Sequence, residues 1–457
     1  MIGALTEALR ALVWGPGMLL LLLGTGFFLS IRCGFPQLTG LRPILRSTLG
    51  KLRGAKPRRP DALSPFQSMT TALAGTVGTG NIAGVTGAIF LGGPGAVFWM
   101  WTAALFGMCT KFVEIALAVR YRTVDEKGRP YGGPMLYIER GLGTKFRPLA
   151  LCFALGGTLA SFGIGNLAQS CEIASSAQAL FGAPPTLTGC LLALLAALVL
   201  LGGAARVGRF TEVLVPLMAG IYLLAALPIL LLHAGELPGL FRLIVRRAFG
   251  LDALGGGLFG CGMREALRQG FARGVFSNEA GLGSAPMAHA SSACREPCEQ
   301  AGWGVIEVFV DTFVICTLTA LVVLLSGVWN DPAGAAGFRS PGGAAAEAFR
   351  LLLPGGRGGQ LVSFCLLFFA LSSIIGWGYY GELCWRYLCG GRSSGVGFRL
   401  LFSLVCLLGT QGAGETLWAA ADVCNALMAL PNLAALLLLS GKAAAMSRAW
   451  LGNGTKA

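Results

Sequence analysis

The sequence predicts an all-α integral membrane protein folded as one bundle of about eleven transmembrane helices. Three observations predict it. Of its 457 residues, 54% are hydrophobic and only 12% are charged, about half the charge share of a soluble domain, and the mean hydropathy is +0.69. The apolar residues fall in runs of about 20, the length that crosses the hydrocarbon core of a bilayer. Two of those runs carry glycines and polar residues at mid-depth, which a lipid-facing helix has no reason to do.

Spans are expected near 12–31, 64–91, 94–120, 147–181, 185–203, 211–232, 255–289, 302–328, 359–388, 396–410 and 416–440. Met1 to Phe28 lacks the basic start and small-residue cleavage site of a signal peptide, so its apolar run reads as a retained span. The connection 32–61 holds Arg32, Arg42, Arg46, Lys51, Arg53, Lys56, Arg58 and Arg59. The connection 120–147 holds Arg120, Arg122, Lys127, Arg129, Arg140, Lys145 and Arg147. Arg206, Arg209, Arg295, Arg386 and Arg392 come after spans five, seven and nine. All these connections are odd-numbered and share one face, which the positive-inside rule makes cytoplasmic. The amino terminus is then outside and the carboxyl terminus inside. Arg242, Arg246 and Arg247, after span six, dissent. The same rule accounts for the net charge of +14 without a nucleic-acid partner.

The second span reads TALAGTVGTGNIAGV (71–85), with Gly75, Gly78 and Gly80 beside Thr76, Thr79 and Asn81. The seventh repeats the pattern, with Ser277, Asn278 and Glu279 among the glycines of 270–283. A broken helix in lipid is tolerated where its freed backbone groups are buried in protein or face a watery cavity. Two breaks, each in the first span of a five-span block, predict inverted repeats over 62–232 and 250–441, preceded by an extra span and basic loop over 1–61. Interrupted helices in corresponding places are the best sequence pointer to a transport site. Tight helix packing is the other reading of these glycines.

Nothing points to catalysis or a structural metal. Ser284 and His289 share a span without a G-x-S-x-G turn. The fourteen cysteines lack metal-type spacing, and most sit in apolar runs as small buried hydrophobes. A channel is disfavoured by paired broken helices, which fit alternating access better than an open pore.

GTGNIAGV (78–85), GGPGAVFWMW (92–101), GGPMLYI (132–138), FGIGNLAQS (162–170), RQGFARGVFSNEAGLGSAPMAHA (268–290) and SSIIGWGYYGE (372–382) resemble the alanine/glycine:cation symporter family, also called sodium:alanine symporters. The likeness runs in order over nearly the whole chain. It implies the fold of the bacterial leucine transporter, with two inverted five-helix repeats, and uptake of alanine or glycine driven by sodium. Proton-coupled symport or amino-acid exchange on the same scaffold is the alternative. No cofactor is implied beyond the coupling ion, and no protein partner.

The residues read consistently with that likeness. A small amino acid must shed water from a carboxylate and an ammonium at mid-membrane, which is costly unless both gain partners. N–H groups around Gly78, Thr79 and Gly80 present the positive end of a half-helix to a carboxylate. Carbonyls around Ala74, Gly75 and Val77, and around Phe276 and Ser277, suit an ammonium and sodium, with amide oxygens from Asn81 and Asn278. Asn166 and Gln169 lie three apart, so they are expected on one helix face. The resemblance makes Gln169 a substrate ligand, whereas Asn166 is equally read as an interhelical bond. It also implies a sodium site from Ala74 and Val77 with Ser372 and Ser373. Trp377, one turn beyond, would limit the pocket to a methyl-sized side chain, or else be ordinary packing. Lys111 and Glu114 are expected to pair. Glu279, Glu307, Asp311 and Asp422 are further intramembrane acids.

Overall fold

A computed structural model describes residues 13–51, 62–125, 128–250, 259–330, 341–391, 395–412 and 415–454. The start of span seven at 255, part of the basic loop 32–61 and the side chain of Asp422 lie outside what is described.

Seven helices are long and apolar enough to cross a membrane, or eight when one bent pair is counted as a single span. Helix α1 (Pro16–Cys33) is followed by that pair, α2 (Pro65–Thr76) and α3 (Ala83–Gly92), which meet at 62°. Helix α2 starts where a capping box forms. The Ser64 hydroxyl accepts from the Gln67 N–H, and the Gln67 side chain accepts from the Ser64 N–H, both at 3.0 Å, ahead of Pro65 in the first turn. Helix α4 (Gly95–Arg120) leads into a short hairpin of β1 (Thr123–Val124) and β2 (Pro130–Tyr131). Then come α5 (Pro134–Leu142), α6 (Arg147–Phe162), a π-helical turn over Gly163–Ala168, and α7 (Gln169–Phe181).

Helices α8 (Pro185–Leu200) and α9 (Gly203–Leu232) follow, and α10 (Leu237–Ala248) comes next with Arg242, Arg246 and Arg247. Arg206 and Arg209, expected in a connection, are in the first turns of α9. Beyond them, α11 (Phe259–Asn278) and α12 (Ala285–Ala290) flank an unwound stretch. They are followed by α13 (Pro297–Val308), a second π-helical stretch over Phe309–Cys316, α14 (Thr317–Ser326), α15 (Pro341–Leu352), α16 (Gly358–Leu388), α17 (Val396–Thr410) and α18 (Glu415–Gly454). Helices α8 and α17 are apolar but short for a span, and α18 runs well past the expected end at 440.

Small residues set the spacing at the centre of the bundle. A Cβ on Gly376 of α16 would lie 2.7 Å from the Gly75 nitrogen, and one on Gly75 would lie 2.8 Å from Cε2 of Tyr380. Helices α2 and α16 therefore touch backbone to backbone beside the first break, the close approach that small residues permit in membranes.

Candidate functional site

The first break is a gap in the backbone ladder. Helix α2 closes with Val77 N–H bonded to the Leu73 carbonyl, and the next turn begins with Asn81 N–H on the Gly78 carbonyl. Among the described residues, the carbonyls of Ala74, Gly75 and Thr76 receive no backbone N–H, and the N–H groups of Thr79 and Gly80 donate to none. Gly80 is exposed and Thr79 half-exposed. A Cβ on Gly80 would meet nothing within 4 Å. Two adjacent N–H groups just ahead of α3 thus lack backbone partners at a residue open to space, as an anion site requires.

Gly78 differs from expectation. Its N–H is already taken by Oδ1 of Asn81 at 2.9 Å, which leaves Thr79 and Gly80 as the N–H groups of this break with no backbone partner among the described residues. Asn81 in turn is fully buried and its amide group points to a second cluster. Nδ2 donates to Oδ1 of Asp311 at 2.6 Å and lies 3.1 Å from the Ser277 hydroxyl. Oδ2 of Asp311 accepts from Ser277 at 2.7 Å and from Thr312 at 2.8 Å. Asn278 donates to the Thr312 hydroxyl at 3.3 Å and caps the Ala280 N–H at 3.0 Å. Asp311 is thus a fully buried carboxylate held by neutral donors from α2–α3, α11 and the π-helical stretch before α14. Sequence reasoning counted Asp311 only among scattered acids.

The second break falls slightly later than expected. Helix α11 runs through Asn278, and the chain unwinds over 279–284 with positive φ at Glu279 (54°), Gly281 (93°) and Gly283 (82°). Leu22 and Pro134 would each lie 2.6 Å from a Cβ on Gly281 and Gly283 respectively, so both conformation and space demand glycine there. Among the described residues, no backbone N–H reaches the carbonyls of Phe276 or Ser277. These are the oxygens expected of this break.

Asn166 and Gln169 do not share a face. The π turn over Gly163–Ala168 adds a residue per turn and rotates the helix before it relative to the helix after it. Asn166 donates to the Phe402 carbonyl of α17 at 2.6 Å and accepts from Ser170, an interhelical bond. Gln169 turns to the first break, its Oε1 accepting from the Thr79 hydroxyl at 3.3 Å while Nε2 holds the Ile164 carbonyl at 3.3 Å.

Ser372 and Ser373 of α16 do face α2. Ser372 Oγ lies 3.4 Å from the Val77 carbonyl, and Ser373 Oγ would sit 2.4 Å from a Cβ on Gly78. Both hydroxyls donate back to the Phe369 carbonyl at 2.8 and 3.1 Å, which leaves their lone pairs turned toward the break. The Thr76 hydroxyl instead turns back on its own helix, toward the Ala72 carbonyl at 3.3 Å. Trp377 is only 2% exposed. Its Cβ would lie 2.3 Å from one on Gly165, and its ring packs edge-on against Tyr380. It backs the π turn that precedes Gln169.

The two ends of the bundle differ. Leu63, just before α2, pairs with Ser291 and Ala293, just after α12. Over that end lies the β1–β2 hairpin, where Arg122 donates to the carbonyls of Ser292 and Cys294 at 2.7 Å. Asp125 bonds Arg129 at 2.7 Å and Arg386 at 3.5 Å, and Arg399 pairs with Glu382. Partial burial opposes ionisation of Asp125, but the Arg129 hydrogen bonds outweigh it and hold its carboxyl below the usual carboxylate range. At the other end, Arg268 and Arg273 of α11 are exposed.

Lys111 does not pair with Glu114. Its ammonium bonds Glu307 of α13 at 3.2 Å, because one turn along α4 Glu114 faces the second unwound segment instead.

The shape is shared with transporters of known structure. MhsT in complex with L-phenylalanine superposes with a TM-score of 0.56 at 14% identity, covering 86% of this chain and all of that one. A sodium-coupled sialic acid symporter gives 0.52 at 13% identity, over 94% of this chain and 85% of that one. In sequence, the chain is 43% identical over 451 residues to the sodium/alanine symporter AgcS of Methanococcus maripaludis, covering 98% of this chain and 97% of the relative. The profile of the sodium:alanine symporter family matches residues 1–456. With a broken α2–α3 pair at its centre and that match over its length, the chain belongs to the sodium:alanine symporter family, whose members are transporters and not enzymes.

Proposed function

We propose that this protein takes up a small neutral amino acid, alanine or glycine, together with sodium by alternating access. The observation that carries the reading is the first break, where two N–H groups without backbone partners and freed carbonyls lie next to Asn81, which bonds the buried Asp311. The substrate carboxylate sits on the N–H groups of Thr79 and Gly80, with Gln169 fixing the Thr79 side. The ammonium faces the carbonyls of Gly75 and Phe276. Sodium takes the carbonyls of Ala74 and Val77 with the hydroxyls of Ser372 and Ser373, since hard cations prefer oxygen ligands. Asp311 supplies an acidic group that ties the two breaks together.

The hairpin end is sealed by Arg122, Asp125 and Arg386, and it bears the basic connections that mark the cytoplasmic face. In this reading the state is closed to the inside, with the amino terminus outside. Inverted repeats over 62–232 and 250–441 would exchange which end is sealed.

The test is uptake of labelled alanine into proteoliposomes under an imposed sodium gradient or, separately, a proton gradient. Accumulation driven by sodium alone supports the reading. Accumulation driven only by protons, or only by amino acid on the opposite side, replaces it with proton symport or exchange.

A further inference from the structure

A second set of buried charges lies behind the second unwound segment, outside the ligand site. Lys111 is completely buried and bonded to Oε1 of Glu307. Oε2 of Glu307 lies 3.1 Å from Nε2 of His289, and the Gln300 amide donates to Nδ1 of the same ring at 2.8 Å. An imidazole that accepts at Nδ1 and donates at Nε2 is neutral. Lys111 and Glu307 therefore balance each other. Glu114 and Glu279 share the field of that same ammonium, so three carboxylates surround one fixed cation.

Glu114 is the most enclosed of the unbalanced pair. It has no exposed surface. Oε1 accepts from the Gly281 N–H at 3.1 Å and from the Asn432 amide at 2.5 Å. The same amide reaches the Gly281 carbonyl at 2.9 Å, and Tyr137 donates to the Asn432 side-chain oxygen. Both polar groups of Gly281 in the unwound segment are thus clamped by side chains from α4 and α18. Oε2 of Glu114, in contrast, is buried with no hydrogen-bond partner among the described residues.

An ionised carboxylate out of water costs several kcal/mol unless its lone pairs are satisfied and its charge is paired. Here one oxygen is bare and the cation is already matched. The groups acting on Glu114 are Lys111 from its own helix, Glu307 from α13, Tyr137 from α5 and the Asn432 amide from α18; His289 reaches Lys111 and Glu307, and Glu279 shares the field of Lys111, Glu307, Asp311 and Tyr380. Apart from Lys111 they are acidic or neutral. We propose that Glu114 is a proton-binding site, separate from the substrate and sodium site, that carries its proton while the second unwound segment is clamped as in this structure. Movement of the segment uncovers the acid, and the proton exchanges with water at that step.

Infrared absorption of the reconstituted protein tests this without relying on transport. The wild type at neutral pH is expected to show a buried protonated-carboxyl band that exchanges slowly in heavy water and is lost in Glu114→Gln. Should that variant fail to fold, Asn432→Leu removes the hydrogen bond to the Glu114 oxygen and must shift the band. In uptake assays at fixed sodium gradient, the wild-type rate falls several-fold as pH rises into the alkaline range. Glu114→Gln, whose amide oxygen keeps the acceptor, holds the rate flat. No protonated-carboxyl band in the wild type, or an unaltered pH profile in Glu114→Gln, overturns the proposal.

Discussion

Replacing Asp311 with asparagine separates charge from scaffold at the junction of the two breaks. Asparagine has the same shape. Its oxygen keeps the bond from Asn81, and its amide group takes the place of Oδ2, which now accepts from Ser277 and Thr312. Both of those partners are hydroxyls, which rotate to accept as readily as they donate. The Ser277 proton turns toward Cys316, whose sulfur lies 3.2 Å away. The network thus survives and the negative charge does not. Asp311 bonds Asn81, Ser277 and Thr312 and none of the proposed sodium ligands, so its charge acts from beyond contact: about 8 Å at an effective dielectric constant near 20 is worth roughly 2 kcal/mol. Losing it weakens cation binding about thirtyfold, at about 1.4 kcal/mol per factor of ten. The assay is initial-rate alanine uptake into proteoliposomes against sodium concentration. Asp311→Asn should raise the half-saturating sodium concentration by roughly thirtyfold or more, while the protein stays monodisperse. A folded variant with wild-type sodium dependence would show that Asp311 only ties helices together, and would sink the argument.

Ser373→Ala and Ser372→Ala should each raise the sodium requirement, with a smaller effect on alanine affinity at saturating sodium; unchanged curves in both would move that ion elsewhere. Gln169→Leu removes the acceptor that fixes the Thr79 side chain beside the first break, a bond worth about 0.5–1.5 kcal/mol net, so alanine affinity should drop several-fold, and alanine amide should compete poorly with alanine. Gly165→Ala drives a methyl into Trp377, and overpacking of this kind typically costs about 1–3 kcal/mol; the variant should melt earlier and lose uptake, and wild-type behaviour would mean that the π turn is not held by the indole. In a variant lacking the other cysteines, Cys294, next to the hairpin, should react with an impermeant maleimide only in inside-out vesicles; labelling in intact cells would invert the assigned topology.

Much of the fold and the site's location comes from local chemistry. A stretch that is both apolar and rich in glycine is self-contradictory as a lipid-facing helix, so the breaks at 75–81 and near 279 are readable from composition within a single turn. So are the basic connections. Which groups the breaks offer is a tertiary matter. Asn81 looked like a substrate amide, yet its partner Asp311 is 230 residues away, and only their meeting shows the amide to be spent on the scaffold. Asn166 and Gln169 looked like neighbours on one face because sequence spacing assumes a regular α-helix, and the π turn that separates them packs Gly165 against Trp377. Lys111 and Glu114 have the right spacing to pair, but burial lets each side chain choose the strongest partner in reach. Those partners, Glu307 and Asn432, are 196 and 318 residues distant. Composition and motif order are enough to place the chain in a membrane, to locate where its backbone opens and to assign its family. Which buried charges are balanced emerges only once the helices are packed, because in a low-dielectric interior that balance depends on distance in space and not along the chain.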